Sequence, residues 1–72
     1  MNVNYDVYVP AFGCLQFGSA KLLYGEIKED KARAVVARLQ RGPQEFEVIQ
    51  WRDGYSVDAF IWSPQTRRFE KP

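Results

Sequence analysis

The dipeptide Asp53-Gly54 constrains the fold more than any other feature of this chain, because it separates two runs rich in β-branched and aromatic residues. A two-residue type I′ turn needs positive φ at both positions, which Asp and Gly tolerate. We therefore predict a β-hairpin with strands at residues 45–52 and 55–62. The turn also fixes the register, so that one face pairs Arg52 with Tyr55, Gln50 with Val57, Val48 with Ala59, and Phe46 with Ile61.

This first face is mostly apolar, with the small Ala59 where a helix could approach, and we predict that it faces the core. The opposite face pairs Trp51 with Ser56, Ile49 with Asp58, Glu47 with Phe60, and Glu45 with Trp62. A second core face would not normally carry three carboxylates without basic partners. Aromatic anchors among charges are typical of a protein interface. The sequence therefore predicts a protein-binding face with the anchors Trp51, Phe60, Trp62 and Ile49 and the orienting acids Glu45, Glu47 and Asp58.

The sequence also fits two alternatives to an open face. In the first, the loop at residues 12–17 or the C-terminal segment folds over the face. Arg67 and Arg68 would then neutralise the acids, and Phe69 would lie beside Phe60. In the second, two copies of the chain pair through this face or through a sheet edge, which gives a homodimeric structural subunit.

The N-terminal part of the chain predicts one strand and an uncertain neighbour. Residues 3–9 alternate, which indicates a strand with one buried side formed by Val3, Tyr5, Val7 and Val9. Residues 20–27 fit either a second strand paired with the first or the opening turns of the following helix. Residues 11–19 fit a loop or a broken strand.

The clearest helix follows, because an apolar stripe is formed by Ala32, Val35, Val36 and Leu39. We predict Asp30 as its N-cap, and Gly42 in the left-handed position beyond its end. A turn at residues 63–66 precedes a short last strand at residues 67–70. The predicted fold is α+β, with an antiparallel sheet of three to five strands and one amphipathic helix packed on one face.

Composition limits function mainly by exclusion. The 72 residues, 46% of them hydrophobic, suit a single domain spanning residues 1–72. With no histidine and one cysteine, neither a zinc site nor a Ser/His or Cys/His nucleophile is expected. A Gly-rich phosphate loop is also missing. We therefore predict a protein that is not an enzyme and needs no cofactor or metal, with Cys14 as a packed thiol.

The single cysteine suits a reducing cytoplasm. The first residues lack a signal-peptide pattern, and no apolar run approaches the roughly 20 residues that a membrane span needs. We expect a cytoplasmic protein without a membrane partner.

Single-stranded nucleic-acid binding is the alternative function, and it depends on five arginines. Arg33, Arg38 and Arg41 lie off the helix stripe, while Arg67 and Arg68 adjoin Phe69. Single strands bind in basic grooves beside aromatic stacking platforms, for which Trp51, Trp62 and Tyr55 are candidates. Against this function, ten basic residues nearly balance nine acidic ones, and the hairpin acids would repel phosphates.

The helix EDKARAVVARLQRG and the following meander EFEVIQWRDGYSVDAFIWSPQTRRFE together have a layout that resembles small phage-encoded inhibitors, such as some anti-CRISPR proteins. The resemblance implies a non-enzymatic inhibitor that binds a large nucleoprotein complex or nuclease and blocks access of its substrate. The sequence thus predicts a small inhibitor or adaptor that docks on a larger protein or nucleoprotein complex.

Overall fold

A computed structural model describes residues 2–10 and 20–71 of the protein. Within these residues it contains one helix and a five-stranded antiparallel sheet in the order β2-β1-β3-β4-β5. The elements are β1 Val3–Pro10, β2 Ala20–Ile27, α1 Glu29–Leu39, β3 Phe46–Arg52, β4 Tyr55–Ser63 and β5 Arg68–Glu70. The predicted α+β architecture is confirmed.

Strands β1 and β2 pair along one side of the sheet. The predicted alternation of β1 is confirmed at Val7 and Val9, which are both buried. β2 is a strand rather than the start of a helix, and its pairing with β1 contains two register shifts. The loop or broken strand predicted at residues 11–19, together with the packed thiol of Cys14, lies outside the described residues.

Helix α1 packs on the side of the sheet that carries Val7 and Val48. The predicted stripe is confirmed, because Ala32 and Val35 are buried with these strand residues, and Val36 and Leu39 pack against the same cluster. Apolar burial on this one stripe explains why the segment is helical, since a helix of 11 residues is marginal by itself.

Both predicted helix ends are wrong. The N-cap is Lys28 rather than Asp30, which lies in the first turn with Glu29. The helix begins early because only Lys28 separates it from the end of β2. At the other end Gly42 is not left-handed. Its N–H donates to the carbonyl of Leu39 at 3.1 Å, and this short i→i+3 bond closes the last turn without a positive φ.

The Asp53-Gly54 turn is confirmed by φ values of 51° and 87° and by the pairing of Arg52 with Tyr55. Trp51 also pairs with Ser56 as predicted. Beyond these two pairs the predicted register is wrong, because Val57 is an extra residue that forms a β-bulge. The observed pairs are Gln50 with Asp58, Ile49 with Ala59, Val48 with Phe60, Glu47 with Ile61, and Phe46 with Trp62.

The bulge exchanges the two faces of β4 beyond Val57. Phe60 and Trp62 now lie on the helix side, while Ala59 and Ile61 lie on the opposite side. Aromatic side chains bury about 150–250 Å² each, so this register brings far more apolar surface into the core than the predicted one. In this register Phe46, Phe60, Trp62 and Phe69 pack together as an aromatic cluster.

The C-terminal segment forms β5 beside β4 and does not fold over the face opposite the helix. Phe69 lies beside Phe60 as expected, with ring centroids 6.3 Å apart, but both rings are on the helix side. The loop at residues 12–17, which was the other predicted cover, lies outside the described residues. No helix in the described residues is long and apolar enough to cross a membrane.

Candidate protein-binding face

The face of the sheet opposite α1, here called the helix-free face, is built from alternate residues of all five strands. Cross-strand pairing places Glu47 between Tyr8 and Ile61, and Ile49 between Asp6 and Ala59. No helix or strand among the described elements lies over it. The helix-free face consists of Asn4, Asp6, Tyr8, Leu22, Glu47, Ile49, Trp51, Ser56, Ala59, Ile61, Ser63, Arg68 and Glu70.

Apolar side chains on this face remain accessible to solvent. Leu22 is 50% exposed, and Tyr8, Ile49, Trp51 and Ile61 are each partly buried. Such contiguous apolar surface on a small protein marks an interaction site when nothing covers it. The residues of β3 explain the pattern, since both of its faces carry large apolar groups at alternate positions.

Trp51 forms the wall between two shallow grooves. The first has a volume of about 490 Å³ and runs toward the edge of β4, where it is lined by Ile49, Ser56, Val57, Asp58, Ala59 and Lys71. The second has a volume of about 500 Å³ and is lined by Asn4, Asp6, Leu22, Gly25, Glu26 and Gly54. The indole Nε1 of Trp51 is buried without a hydrogen-bond partner among the described residues, so the partner would meet its ring rather than its N–H.

Glu47 lies between Tyr8 of β1 and Ile61 of β4 on the helix-free face. Burial raises the pKa of its side chain above the ordinary glutamate value. Among the described residues, no cation lies within salt-bridge distance of it. A partly dehydrated carboxylate is destabilised when no positive charge compensates it. A lysine or arginine supplied by a partner would relieve that cost.

Polar contacts fix the rim of the face near β2. The Asp6 carboxylate accepts the backbone N–H of Glu26 at 2.9 Å. The Lys28 amine donates to Oδ1 of Asn2 at 2.8 Å and to Oδ1 of Asn4 at 2.9 Å. Asn4 pairs with Trp51. Trp51 is four residues along β3 from Glu47, so these two residues are roughly 13 Å apart. Hydrogen bonds therefore hold the Lys28 amine at the other end of the face from Glu47.

The residues of β3 predicted for the binding face lie on the helix-free face, whereas those of β4 do not. Ile49, Trp51 and Glu47 lie on the helix-free face as expected. Trp62, predicted as an outer anchor, is only 6% exposed and belongs to the core. Phe60 lies on the same helix side.

The two remaining predicted acids take other roles. Asp58 is on the helix side of the bulge, where its carboxylate accepts the Lys71 amine at 2.9 Å. The Lys71 amine also lies 5.4 Å from the centre of the Phe60 ring. Glu45 precedes β3 and is partly buried, so it lies beside the helix-free face rather than within a paired row.

Sequence reasoning missed the contribution of β1. Asn4, Asp6 and Tyr8 lie on the helix-free face because β1 is hydrogen-bonded directly to β3. The alternation of residues 3–9 already separated these three from the buried side, but it did not indicate which strand would be adjacent. Ile61 was missed for a different reason, since its face depends on the bulge at Val57.

The five arginines of the alternative function do not form one continuous patch. Arg33 pairs with Glu29 at 3.7 Å, and Arg38 donates to the hydroxyl of Tyr24 at 2.8 Å. Arg68 pairs with Ser63 at the edge of the sheet. Arg41 and Arg67 are brought together, since both line one shallow groove.

The described residues include no group of three or more His, Cys, Asp or Glu side chains placed to hold a metal ion. What the helix-free face offers chemically is apolar contact and the carboxylates of Asp6, Glu47 and Glu70, none of which forms a salt bridge with a described residue. Comparison of the chain with protein-family models, with curated proteins and with solved structures found no match. Its function is therefore inferred from the geometry of the described residues.

Proposed function

We propose that the protein is a small, non-enzymatic binding module that docks on a larger protein through its helix-free face. The observation that carries this proposal is the row of partly exposed apolar residues around Glu47 and Trp51, over which no described helix or strand lies. Aromatic and aliphatic anchors surrounded by charge are the usual composition of binding hot spots.

Each part of the face would have a distinct role in docking. The ring of Trp51 and the side chains of Ile49 and Ile61 would supply apolar contact. Glu47 would attract a basic side chain of the partner and so fix its orientation, because complementary charge favours one arrangement over others. The two grooves beside Trp51 would receive side chains from either direction along the sheet.

Charge argues for a different protein as partner rather than a second copy of this chain. A symmetric contact between two helix-free faces, with its two-fold axis near Glu47, would bring this carboxylate toward the same carboxylate of the other copy. Like charges that face each other across an interface are unfavourable. A partner with a basic and apolar surface avoids this cost.

The layout of α1 and the β3–β5 meander suggests what docking would achieve. It resembles phage-encoded inhibitors of the anti-CRISPR type, and a protein of this kind would act by blocking access of substrate to a nuclease or nucleoprotein complex. We accordingly propose an inhibitor or adaptor that works in the cytoplasm. The resemblance concerns layout, and no residue role is taken from it.

The test is affinity capture followed by measured binding. Tagged wild-type protein and the variants Trp51→Ala, Glu47→Lys and Arg33→Ala would be incubated with lysate of the native cells. Arg33 is the matched control, because it is exposed on the helix and far from the helix-free face. A partner retained by wild type and by Arg33→Ala, but lost with the other two variants, would then be titrated as a purified protein.

For that purified partner we expect Trp51→Ala to cost about 2 kcal/mol, or roughly 30-fold in Kd. Glu47→Lys should weaken binding and reverse its salt dependence. Circular dichroism must show that each variant is folded. Equal affinity for wild type and both face variants, or selective loss with Arg33→Ala, would refute the proposed face.

A further inference from the structure

Two loops far apart in sequence bring a pair of arginines to one place. Arg41 follows the end of α1, and Arg67 ends the turn between β4 and β5. Both side chains are exposed and line a shallow depression of about 460 Å³. We call it the arginine depression, and its other lining residues are Gly42, Pro43, Pro64 and Gln65.

The two guanidinium groups lack a carboxylate partner among the described residues. The salt bridges within that part of the chain join Arg33 to Glu29 and Lys71 to Asp58. Two positive charges directed to one groove repel each other unless an anion or water screens them. An anion held between them would gain from both charges.

The backbone holds both arginines in place. The N–H of Arg67 donates to the carbonyl of Ser63 at 2.8 Å, and Arg67 has a left-handed φ of 55°. The N–H of Arg41 donates to the carbonyl of Arg38 at 3.2 Å. Because the loop positions are fixed, little ordering of the main chain would be needed when a ligand binds.

The nearby end of α1 opposes anion binding only weakly. Its negative dipole end is equivalent to about half a charge, against two full positive charges. Carbonyls in the last turn also accept the N–H groups of Gln40, Arg41 and Gly42. Gly42, Pro43 and Pro64 make half of the lining of the depression compact and uncharged.

We propose that the arginine depression binds a phosphate group, with Arg41 and Arg67 each donating through the planar guanidinium fork that matches phosphate oxygens. The site is separate from the helix-free face and does not depend on the proposed docking function. A phosphodiester of single-stranded nucleic acid and a free phosphate are the two sources of this chemistry, and the experiment separates them.

Binding would be measured with the full chain at low salt, using a fluorescein-labelled single-stranded 12-mer of thymidylate and, separately, inorganic pyrophosphate. The variants are Arg41→Ala and Arg67→Gly, with Arg33→Ala as the matched surface control. Glycine suits the positive φ at position 67, so Arg67→Gly removes the charge without straining the turn. If either variant fails to fold, Arg41→Lys and Arg67→Lys keep the charge but lose the fork.

We expect each charge-removing variant to weaken oligonucleotide binding at least fivefold and to lower the slope of log K against log salt, by about 0.7 for each phosphate that the protein no longer neutralises. The lysine variants should retain part of the affinity, and Arg33→Ala should stay within twofold of wild type. Pyrophosphate binding with the same dependence on both arginines assigns the site to the phosphate group itself. Oligonucleotide binding alone assigns it to a nucleic-acid backbone. No saturable binding of either probe, or binding that both arginine variants leave unchanged, overturns the proposal.

Discussion

The observed register makes a sharp prediction about the two tryptophans, because it places them on opposite faces of the sheet. Trp62 is 6% exposed, and its ring centroid lies 5.1 Å from that of Phe69 and 6.2 Å from that of Phe46. At about 25 cal/mol per Å², burial of about 150–250 Å² corresponds to an upper figure of about 4–6 kcal/mol. Truncations of buried Trp to Ala cost about 3–5 kcal/mol in practice.

One effect opposes this loss. The Trp62 Nε1 is buried without a hydrogen-bond partner among the described residues. Removing an unsatisfied buried donor is favourable, so it offsets part of the loss in the free energy of unfolding. We therefore expect Trp62→Ala to lower that free energy by about 3–4 kcal/mol, near the lower end of the usual range. Trp51→Ala should cost only about 1–2 kcal/mol, since part of the Trp51 ring already contacts solvent.

Urea denaturation followed by far-UV circular dichroism measures both values on the same scale. Trp62→Phe is the control, because it keeps an aromatic ring beside Phe46 and Phe69 while removing the unpaired N–H. Its expected cost is below about 1.5 kcal/mol. If Trp62→Ala is already unfolded without urea, Trp62→Phe still provides a measurable step. A larger loss for Trp51→Ala than for Trp62→Ala would show that the observed register is wrong.

Three further perturbations follow from the same geometry. Gly54→Ala should lower the free energy of unfolding, measured by urea denaturation, by about 1–2 kcal/mol. The φ of Gly54 is 87°, and no atom lies within 4 Å of a Cβ placed there, so only backbone strain acts. An unchanged denaturation midpoint would contradict the left-handed turn. Burial raises the folded-state pKa of Glu47, so its contribution to stability is present at low pH and is lost as pH rises through that pKa. Glu47→Gln should therefore be more stable than wild type at pH 7, with the difference vanishing below about pH 4 in thermal melts. Lys71→Ala removes an ion pair whose lysine side chain is 66% exposed, so it should change stability by less than about 1 kcal/mol, and a larger loss would show that the pair fixes β5 against β4.

Local patterns predicted the elements well, because their causes are local. The apolar stripe of α1 and the alternation of β1 depend on side chains a few residues apart, and both were confirmed. The Asp53-Gly54 turn was predicted correctly for the same reason. The helix ends were predicted wrongly because they depend on neighbours. The chain has only Lys28 between β2 and α1, so the helix begins one residue after the end of β2.

The register beyond Val57 could not be predicted from the turn alone. A turn fixes pairing only until an extra residue interrupts the ladder, and a one-residue slip sends every later side chain to the other face. The two registers differ in buried apolar surface, since one buries Phe60 and Trp62 and the other buries Ala59 and Ile61. The larger buried apolar surface favours the bulged register, which is the one observed.

The same slip changes what the helix-free face can recognise. The predicted face had three acids and four large apolar groups within one hairpin, whereas the observed face spreads over all five strands and carries the carboxylates of Asp6, Glu47 and Glu70. Because Ala59 replaces Asp58 opposite Ile49, the β4 part of the face is flatter and less charged than predicted. Orientation of a partner would then depend on the carboxylates of β1, β3 and β5, and affinity on apolar contact around Trp51. Reversal of the Glu47 charge should therefore change which partners are accepted more strongly than it changes the stability of the fold, since Glu47 forms no ion pair with a cation among the described residues.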